Sequence, residues 1–435
     1  MKIKTASRMR GTIRLPGDKS ISHRAAMLAA IATGETRIDN FATSEDCSST
    51  VSCLRRLGVP VVRDDNILVV NGVGKAGFKP PSSSLDCGNS GTTMRLLAGI
   101  MAGQNFRSVL VGDESLQKRP MKRVIDPLSK MGADIASDEG RAPLYISGKQ
   151  PLTAIEYQPP VASAQIKSCV LLAGLNADGK TSVIEPIQTR DHTERMLRWF
   201  GVDVAVDESN GGSRITVSGD ATLTARDLIV PSDISAAAFF MVAAACLAGS
   251  DIALPNVGFN ASRSAIFDVL RDFGADVQLT ERGEVNNEPV ATLRIRGGIS
   301  AVNGTGSNLV NGGTVANLID EIPILAVFGT QIEGGLEIRD AAELRVKESD
   351  RISAIVENLR RMDAAVEEFP DGFKVLRSKL QGAVIDSFGD HRIAMAFAIA
   401  GLLATGETEI LGAECADISF PGFFEKLRGV VSNAV

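Results

Sequence analysis

The chain has 435 residues, more than one hydrophobic core usually serves, so at least two domains are expected. Its composition (44% hydrophobic, 23% charged) is that of a globular protein, and a net charge of -6 argues against general affinity for nucleic acid or an anionic membrane. Aromatic residues are 5%, too few for base-stacking platforms. The longest apolar stretch, Ile234 to Ala248, falls short of the ~20 residues of a membrane span. Lys2, Lys4, Arg8 and Arg10 precede no apolar region, so no secretory signal is read. None of the cysteines (Cys47, Cys53, Cys87, Cys169, Cys246, Cys415) forms a CxxC pair, and His23, His192 and His391 lie far apart. Buried free thiols in a reducing cytoplasm are expected, with no metal site.

A strand over Gly11 to Leu15 leads into Pro16-Gly-Asp-Lys-Ser-Ile-Ser-His-Arg24. Pro16 and Gly17 make a turn, Asp18 or Ser20 caps a helix, and Ala25 to Ile31 continues it. Lys19 and Ser20 stand at the helix mouth, with Arg24 one turn on, which suits an anion; the alternative is a capped surface helix with solvated charges. A pattern of small-residue helix, glycine and strand then recurs through Gly34, Gly103, Gly179, Gly249, Gly334 and Gly406. A second pattern, an amphipathic helix turning into a strand, alternates with it: Leu54 to Val61, Leu128 to Ile135, Leu197 to Val204, Leu270 to Val277 and Leu359 to Val366. The last copy, from Phe424, ends with the chain. Asp363 stands where the other complete copies have Gly. The period is roughly 70 residues, and each unit reads helix, strand, helix, hairpin (for example Val61 to Val70 or Val202 to Val217). Helices such as Ala236 to Ala248 are apolar all round, so they are expected inside with the sheets outside. Six units in two groups of three give two lobes: residues 1–16 with 231–435, and residues 17–230.

Along this frame lie stretches that carry chemistry. Cys87-Gly-Asn-Ser-Gly-Thr-Thr-Met-Arg95 is a Gly-rich turn opening a helix, and Gly91 allows close approach of an anion. Arg119 precedes Pro120, read as a helix start; Ser163, Ala164 and Gln165 precede an apolar helix; Arg190 lies in Thr189-Arg-Asp-His-Thr-Glu194. Asp320 and Glu321 interrupt an apolar run, where unpaired carboxylates are costly. Lys347 and Arg351, four apart, are read on one helix face with Glu348 beside them, and Arg392 starts another small-residue helix. Each alone reads equally well as an exposed ion-pair network. Together they read as a basic residue at the mouth of each buried helix. Such mouths, facing a cleft between the lobes, would suit two small polyanions bearing phosphate and carboxylate. Asp320 and Glu348 are the carboxylates for general base and general acid.

Leu15-Pro-Gly-Asp-Lys-Ser-Ile-Ser-His-Arg24, Gly88-Asn-Ser-Gly-Thr-Thr-Met-Arg95, Arg345-Val-Lys-Glu-Ser-Asp-Arg351 and Asp390-His-Arg392 together resemble the 5-enolpyruvylshikimate-3-phosphate (EPSP) synthase family, and the likeness runs along the whole chain. The resemblance implies an α/β fold of two domains, each an inverted (inside-out) α/β barrel of three βαβαββ units. It implies transfer of enolpyruvyl from phosphoenolpyruvate to the 5-hydroxyl of shikimate 3-phosphate, in a cytoplasmic monomer with no metal or organic cofactor. By likeness Asp320 accepts the hydroxyl proton, and Glu348 and Lys19 handle the enol-side proton. Lys19, Ser20, Arg24, Ser163, Gln165, Asp320 and Lys347 hold shikimate 3-phosphate. Lys19, Gly91, Arg119, Gln165, Arg351 and Arg392 hold phosphoenolpyruvate.

There are departures from the family pattern. Ala164 stands where many members have a second serine, and Arg190 is expected to supply the phosphate contact, as in the class II branch that this sequence looks like. Ile418 stands where some members carry a lysine near phosphoenolpyruvate. Gly91, lacking a side chain, implies sensitivity to the inhibitor glyphosate, and the class II-like features weigh against it. The rival reading within the fold, UDP-N-acetylglucosamine enolpyruvyl transferase, usually has a reactive loop cysteine and a Lys-Asn signature where this chain has Gly17-Asp-Lys-Ser20. A non-catalytic anion binder would keep the cations and tolerate loss of Asp320 and Glu348, yet both are present.

Overall fold

The computed structural model describes residues 1–209, 212–300 and 308–433; the tip of the hairpin expected over Val202 to Val217, residues 210–211, lies outside the described residues. The chain divides into two compact units. The inserted unit comprises residues 17–231 with 284–288, and the terminal unit comprises 1–16, 232–283 and 289–435.

In the inserted unit three four-stranded sheets share one order. The first is Leu228–Ile229, Thr33–Asp39, Ile67–Val73, Val61–Asp64; the second is Leu85–Asp86, Arg107–Val111, Arg141–Ser147, Asp134–Asp138. The third is Glu156–Tyr157, Lys180–Glu185, Gly212–Ser218, Ala205–Ser209. In each, the short first strand pairs parallel with the second, and the remaining pairings are antiparallel. Strands such as Arg141–Ser147 alternate buried with less buried positions, the pattern of a sheet with one face to the core. Helices Lys19–Ile31, Gly91–Ala102 and Ala164–Gly174 differ: past the first turn nearly every residue is buried. A helix apolar on all sides has no face to offer water, so it forms the inside of the unit and the sheets its outside. Close approach is built in at Gly99, where an added Cβ would lie 2.3 Å from the Cys169 carbonyl oxygen of the neighbouring helix. Helices Glu45–Arg56, Lys122–Lys130 and His192–Trp199 keep one exposed face.

The terminal unit has one sheet of the same order: Leu309–Val310, Leu336–Ile338, Gly372–Val375, Val366–Phe369. Its other two borrow strands from the start of the chain. Lys2–Lys4 pairs antiparallel with Glu407–Leu411, and Ala6–Thr12 lies between Asp251–Gly258 and Val431–Asn433. The strand expected over Gly11 to Leu15 is therefore earlier, at Ala6–Thr12; beyond it Pro16 has no N–H to continue a ladder. Its buried helices are Ile234–Cys246, Ile322–Gly329 and His391–Leu403. Among the described residues no single helix is long and apolar enough to cross a membrane.

The helix-to-strand turns explain Asp363. Gly58, Gly132, Gly201 and Gly274 all have positive φ, and Asp363 adopts φ 61° in the same place; a short polar side chain tolerates that region best after glycine. Gly103 has φ -86° instead, so freedom is not its reason; an added Cβ would meet the Asn176 side chain at 2.6 Å. The six cysteines are free, four of them buried. Gly99→Ala is expected to cost about 1–3 kcal/mol through overpacking, read as a lower thermal midpoint, because the atom met is backbone and cannot swing aside.

Candidate active site

In the inserted unit, Asp18 rather than Ser20 caps helix Lys19–Ile31, its Oδ1 accepting from the Ile21 amide at 2.8 Å. The cap leaves Lys19 on the first turn, where Nζ donates to Asp46 Oδ2 at 2.7 Å. Arg24 is buried, and each of its bonds ends on a neutral acceptor: Nε on Thr193 Oγ1 (2.7 Å), Nη2 on Ser168 Oγ (2.8 Å), Nη1 on the Ser20 carbonyl (2.9 Å). Burial lowers its pKa to about 10; Glu194 and Asp18 favour its charge, and the charge of Arg190 opposes it. Arg190 is half-buried in the loop ahead of helix His192–Trp199. Two guanidinium groups that repel each other are relieved by a shared anion. His23, on the same helix, is fully buried with Nδ1 against Thr50 Oγ1 at 2.7 Å. Burial and the charges of Lys19 and Arg24 hold its pKa well below the usual histidine value, so it adds no charge here.

The Gly-rich turn is closed by Ser90, which caps helix Gly91–Ala102 through the Thr93 amide. A Cβ on Gly91 would lie 2.9 Å from Arg95 Nη1 and 3.6 Å from Arg119 Nη1, so the missing side chain is what lets two cations stand over this turn. Arg119 Nη2 donates to Asn89 Oδ1 (2.7 Å) and Ser115 Oγ (3.1 Å). Arg95 Nη1 donates to Gln165 Oε1 (2.5 Å), and Gln165 Nε2 to Thr92 Oγ1 (2.9 Å). Ser163 caps helix Ala164–Gly174, which begins one turn before the apolar run at Cys169. The helix expected at Pro120 begins at Lys122 instead; Arg119 ends the short helix Glu114–Lys118, its amide bonded to the Leu116 carbonyl.

In the terminal unit Arg351 gathers three carboxylates while 1% exposed. Nε donates to Asp390 Oδ2 (2.8 Å), Nη2 to Glu348 Oε2 (2.7 Å), and Nη1 lies 3.7 Å from Asp320 Oδ1. Burial works against the Arg351 charge, but Asp390, Glu348 and Asp320 outweigh it and raise its pKa above the ordinary arginine value. Burial likewise works against the Asp390 carboxylate, and Arg351 more than offsets it, holding that pKa below the usual carboxylate range. Asp390 also caps helix His391–Leu403 through the Arg392 amide (2.9 Å). Arg392 Nη1 donates to the Asp320 carbonyl at 2.9 Å, and Nε lies 3.9 Å from Asp320 Oδ1. Asp320 therefore sits between two guanidinium groups. Glu321, 1% exposed, accepts from Ser235 Oγ, which also accepts from Arg263 Nη2 at 2.6 Å. Lys347 corrects the sequence reading. Asp350 caps helix Arg351–Arg361 and Ala342–Val346 is a separate 3-10 turn, so Lys347 and Arg351 share no helix face; Lys347 pairs with Glu343 at 2.9 Å.

The family model described as EPSP synthase (3-phosphoshikimate 1-carboxyvinyltransferase) matches residues 3–427. The chain belongs to this family. It is 48% identical to the 3-phosphoshikimate 1-carboxyvinyltransferase of Solibacter usitatus over 431 residues, 99% of each chain. It is 52% identical to that of Pelotomaculum thermopropionicum over 428 residues, 97% of each. A solved EPSP synthase structure from Acinetobacter baumannii superposes with a TM-score of 0.87 at 41% identity, covering 99% of this chain and 98% of that one. The mixed α/β fold is that of EPSP synthase structures.

The residues read from sequence fall into two sets. Lys19, Ser20, Arg24, Gly91, Arg119, Ser163, Ala164, Gln165 and Arg190 lie in the inserted unit, and Asp320, Lys347, Glu348, Arg351 and Arg392 in the terminal unit. The expectation of a basic residue at every buried helix mouth is corrected. Lys19 and Arg392 are so placed, but Arg119, Arg190 and Arg351 stand on other segments. At the starts of Ile234–Cys246 and Ile322–Gly329 the cap positions hold Asp233 and Glu321. Ala164 supplies its carbonyl to Ser168 Oγ (2.6 Å), and Ile418 ends the 3-10 helix Ala413–Ile418, half-buried. Sequence reasoning missed Arg95, Asp46, Asn89 and Asp390 as partners. Arg95 closes one of the motifs quoted above and Asp390 opens another, while Asp46 shows no local signal. Asp390→Asn leaves Arg351 short of a counter-charge and is expected to cost about 3–5 kcal/mol near neutral pH. A folded-state pKa below the unfolded one adds stability above pH ~4 that is lost as pH falls through the folded value. In urea melts the variant should therefore lose part of the wild-type decline in acid; an unchanged acid limb would remove Asp390 from that ion pair.

Proposed function

We propose that this protein transfers the enolpyruvyl group of phosphoenolpyruvate to the 5-hydroxyl of shikimate 3-phosphate, releasing inorganic phosphate, as a 3-phosphoshikimate 1-carboxyvinyltransferase. The observation that carries the mechanism is Asp320 and Glu348 gathered around the buried guanidinium of Arg351. In the addition step the hydroxyl oxygen bonds to C2 of phosphoenolpyruvate, its proton passes to Asp320, and the methylene carbon gains a proton from the Glu348 and Lys19 side. In elimination that carbon returns a proton and the C2–O bond to phosphate breaks. Protons balance over the two steps, and the product is the enol ether with free phosphate. One carboxylate that accepts and another that donates are the pair this chemistry needs.

In this reading Lys19, Ser20, Arg24, Ser163, Gln165, Arg190, Asp320 and Lys347 hold shikimate 3-phosphate, with the Ala164 backbone beside Ser163. Lys19, Gly91, Arg119, Gln165, Arg351 and Arg392 hold phosphoenolpyruvate. The positive charge that steadies the tetrahedral intermediate comes from these Lys and Arg side chains, fixed before substrate arrives. Gly91 matters for the same reason: a side chain there would enter the space under Arg95 and Arg119. The family is the target of glyphosate, and in this reading the inhibitor competes at that turn. The fold is read as two inside-out α/β barrels of three βαβαββ units each, residues 1–16 with 231–435 and residues 17–230. The protein is read as a cytoplasmic monomer. The repeated sheet order and the all-round burial of the helices support the barrel reading.

The test is phosphate release from phosphoenolpyruvate with each acceptor supplied separately. Release that needs shikimate 3-phosphate is expected; release with UDP-N-acetylglucosamine would transfer the protein to the sister activity. Asp320→Asn should cut kcat about 10²–10⁴-fold with shikimate 3-phosphate binding largely kept. Near-normal turnover would remove Asp320 from the mechanism.

A further inference from the structure

Lys167 lies on helix Ala164–Gly174 at 1% exposure, the one charged residue of that helix. Its ammonium is held by Glu185 Oε2 and Glu194 Oε1, both at 2.7 Å and both carboxylates buried. Glu185 ends strand Lys180–Glu185, and its other oxygen accepts from the Thr189 hydroxyl. Glu194 is on helix His192–Trp199, next to Thr193. The triad thus ties together a helix, a strand end and both ends of the loop that carries Arg190. Stability does not account for it. Ion clusters buried this deeply are commonly neutral or costly against apolar side chains of the same volume.

The neighbouring hydroxyls show what the tie controls. Ser168 Oγ donates to the Ala164 carbonyl (2.6 Å) and accepts from Arg24 Nη2, so the 2.7 Å contact between Thr193 and Ser168 takes its proton from Thr193. Thr193 Oγ1 then faces Arg24 Nε as acceptor, as required. Each proton has one place, and Arg24 has one orientation. Glu194 Oε2 is buried with no hydrogen-bond partner; burial raises the Glu194 pKa, Lys167 works against that rise, and the Glu194 charge favours that of Arg24. The charged and titratable groups around Arg24 include Glu194, Asp18, Arg190, Glu288 and, on its own helix, His23.

We propose that Lys167 and Glu194 are positioning residues for shikimate 3-phosphate: through Thr193, Ser168 and the 186–191 loop they fix Arg24 and Arg190 on its anionic groups, where Ala164 offers no hydroxyl. The proposal rests on the function assigned above, so the wild-type phosphate-release assay comes first and settles that reading separately. Because one charge removed alone strands its partners, the primary variant neutralises all three: Lys167→Met with Glu185→Gln and Glu194→Gln. It should fold, judged by circular dichroism and thermal midpoint, and raise KM for shikimate 3-phosphate about tenfold or more, with KM for phosphoenolpyruvate within about twofold. A folded triple variant with unchanged KM for shikimate 3-phosphate overturns the proposal, as does a parallel rise for both substrates. If the triple variant does not fold, Thr193→Val decides. It should show the same one-sided KM change and Thr193→Ser should restore it; no change, or no rescue, overturns the proposal.

Discussion

A helix buried on every side can be polar only at its ends, and this constraint governs the molecule. In Lys19–Ile31, Ile234–Cys246 and His391–Leu403 the flanks are spent mostly on packing, so charge is handled at the first turn or, as at Arg24, one turn on, where buried polar partners meet it. Side chains of Asp18, Asp233 and Asp390 cap these starts, and Ser90 and Ser163 cap those of Gly91–Ala102 and Ala164–Gly174. The candidate site grows out of those caps: Lys19 follows Asp18, Gly91 follows Ser90, Gln165 lies two residues after Ser163, and Arg392 two after Asp390. Packing and function are thus two consequences of one sequence feature, the run of small apolar residues behind a polar start.

That feature is local, which is why so much was legible. Small-residue runs mark the buried helices, glycine or Asp363 marks the turns, and a Ser or Asp marks every mouth but that of Ile322–Gly329, where Glu321 holds the cap position. The pairing of those mouths with particular partners is not local. Lys19 meets Asp46 27 residues away, Arg95 meets Gln165 70 away, and Arg351 meets Asp390 39 away. Only the fold brings such pairs together, and no spacing rule reports them. The misreading at Lys347 is of a different kind. A separation of four suits a helix face, but Ser349-Asp350 between the two residues is itself a helix start, and the cap prevails over the spacing. The strand expected at Gly11 to Leu15 lies at Ala6–Thr12 because its ladder partners, Asp251–Gly258 and Val431–Asn433, are distant in sequence.

Arg351 and Arg24 are held in opposite ways. Arg351 is neutralised: three carboxylates surround it, and it serves to hold Asp320 and Glu348 at a set distance from each other and from Arg392. Arg24 is held by two hydroxyls and a carbonyl, which fix its direction and leave its charge in place. In the proposed function a guanidinium fixed in this second way receives an anion, while Arg351, which also holds phosphoenolpyruvate, frames the carboxylates that move the proton. Lysine would serve neither purpose as well, because an ammonium lacks the planar fork that meets several acceptors at once. The division follows from the chemistry. Binding a phosphate and a carboxylate needs surplus positive charge, whereas moving a proton between two carbon- and oxygen-bound states needs carboxylates whose positions do not drift as their charge changes.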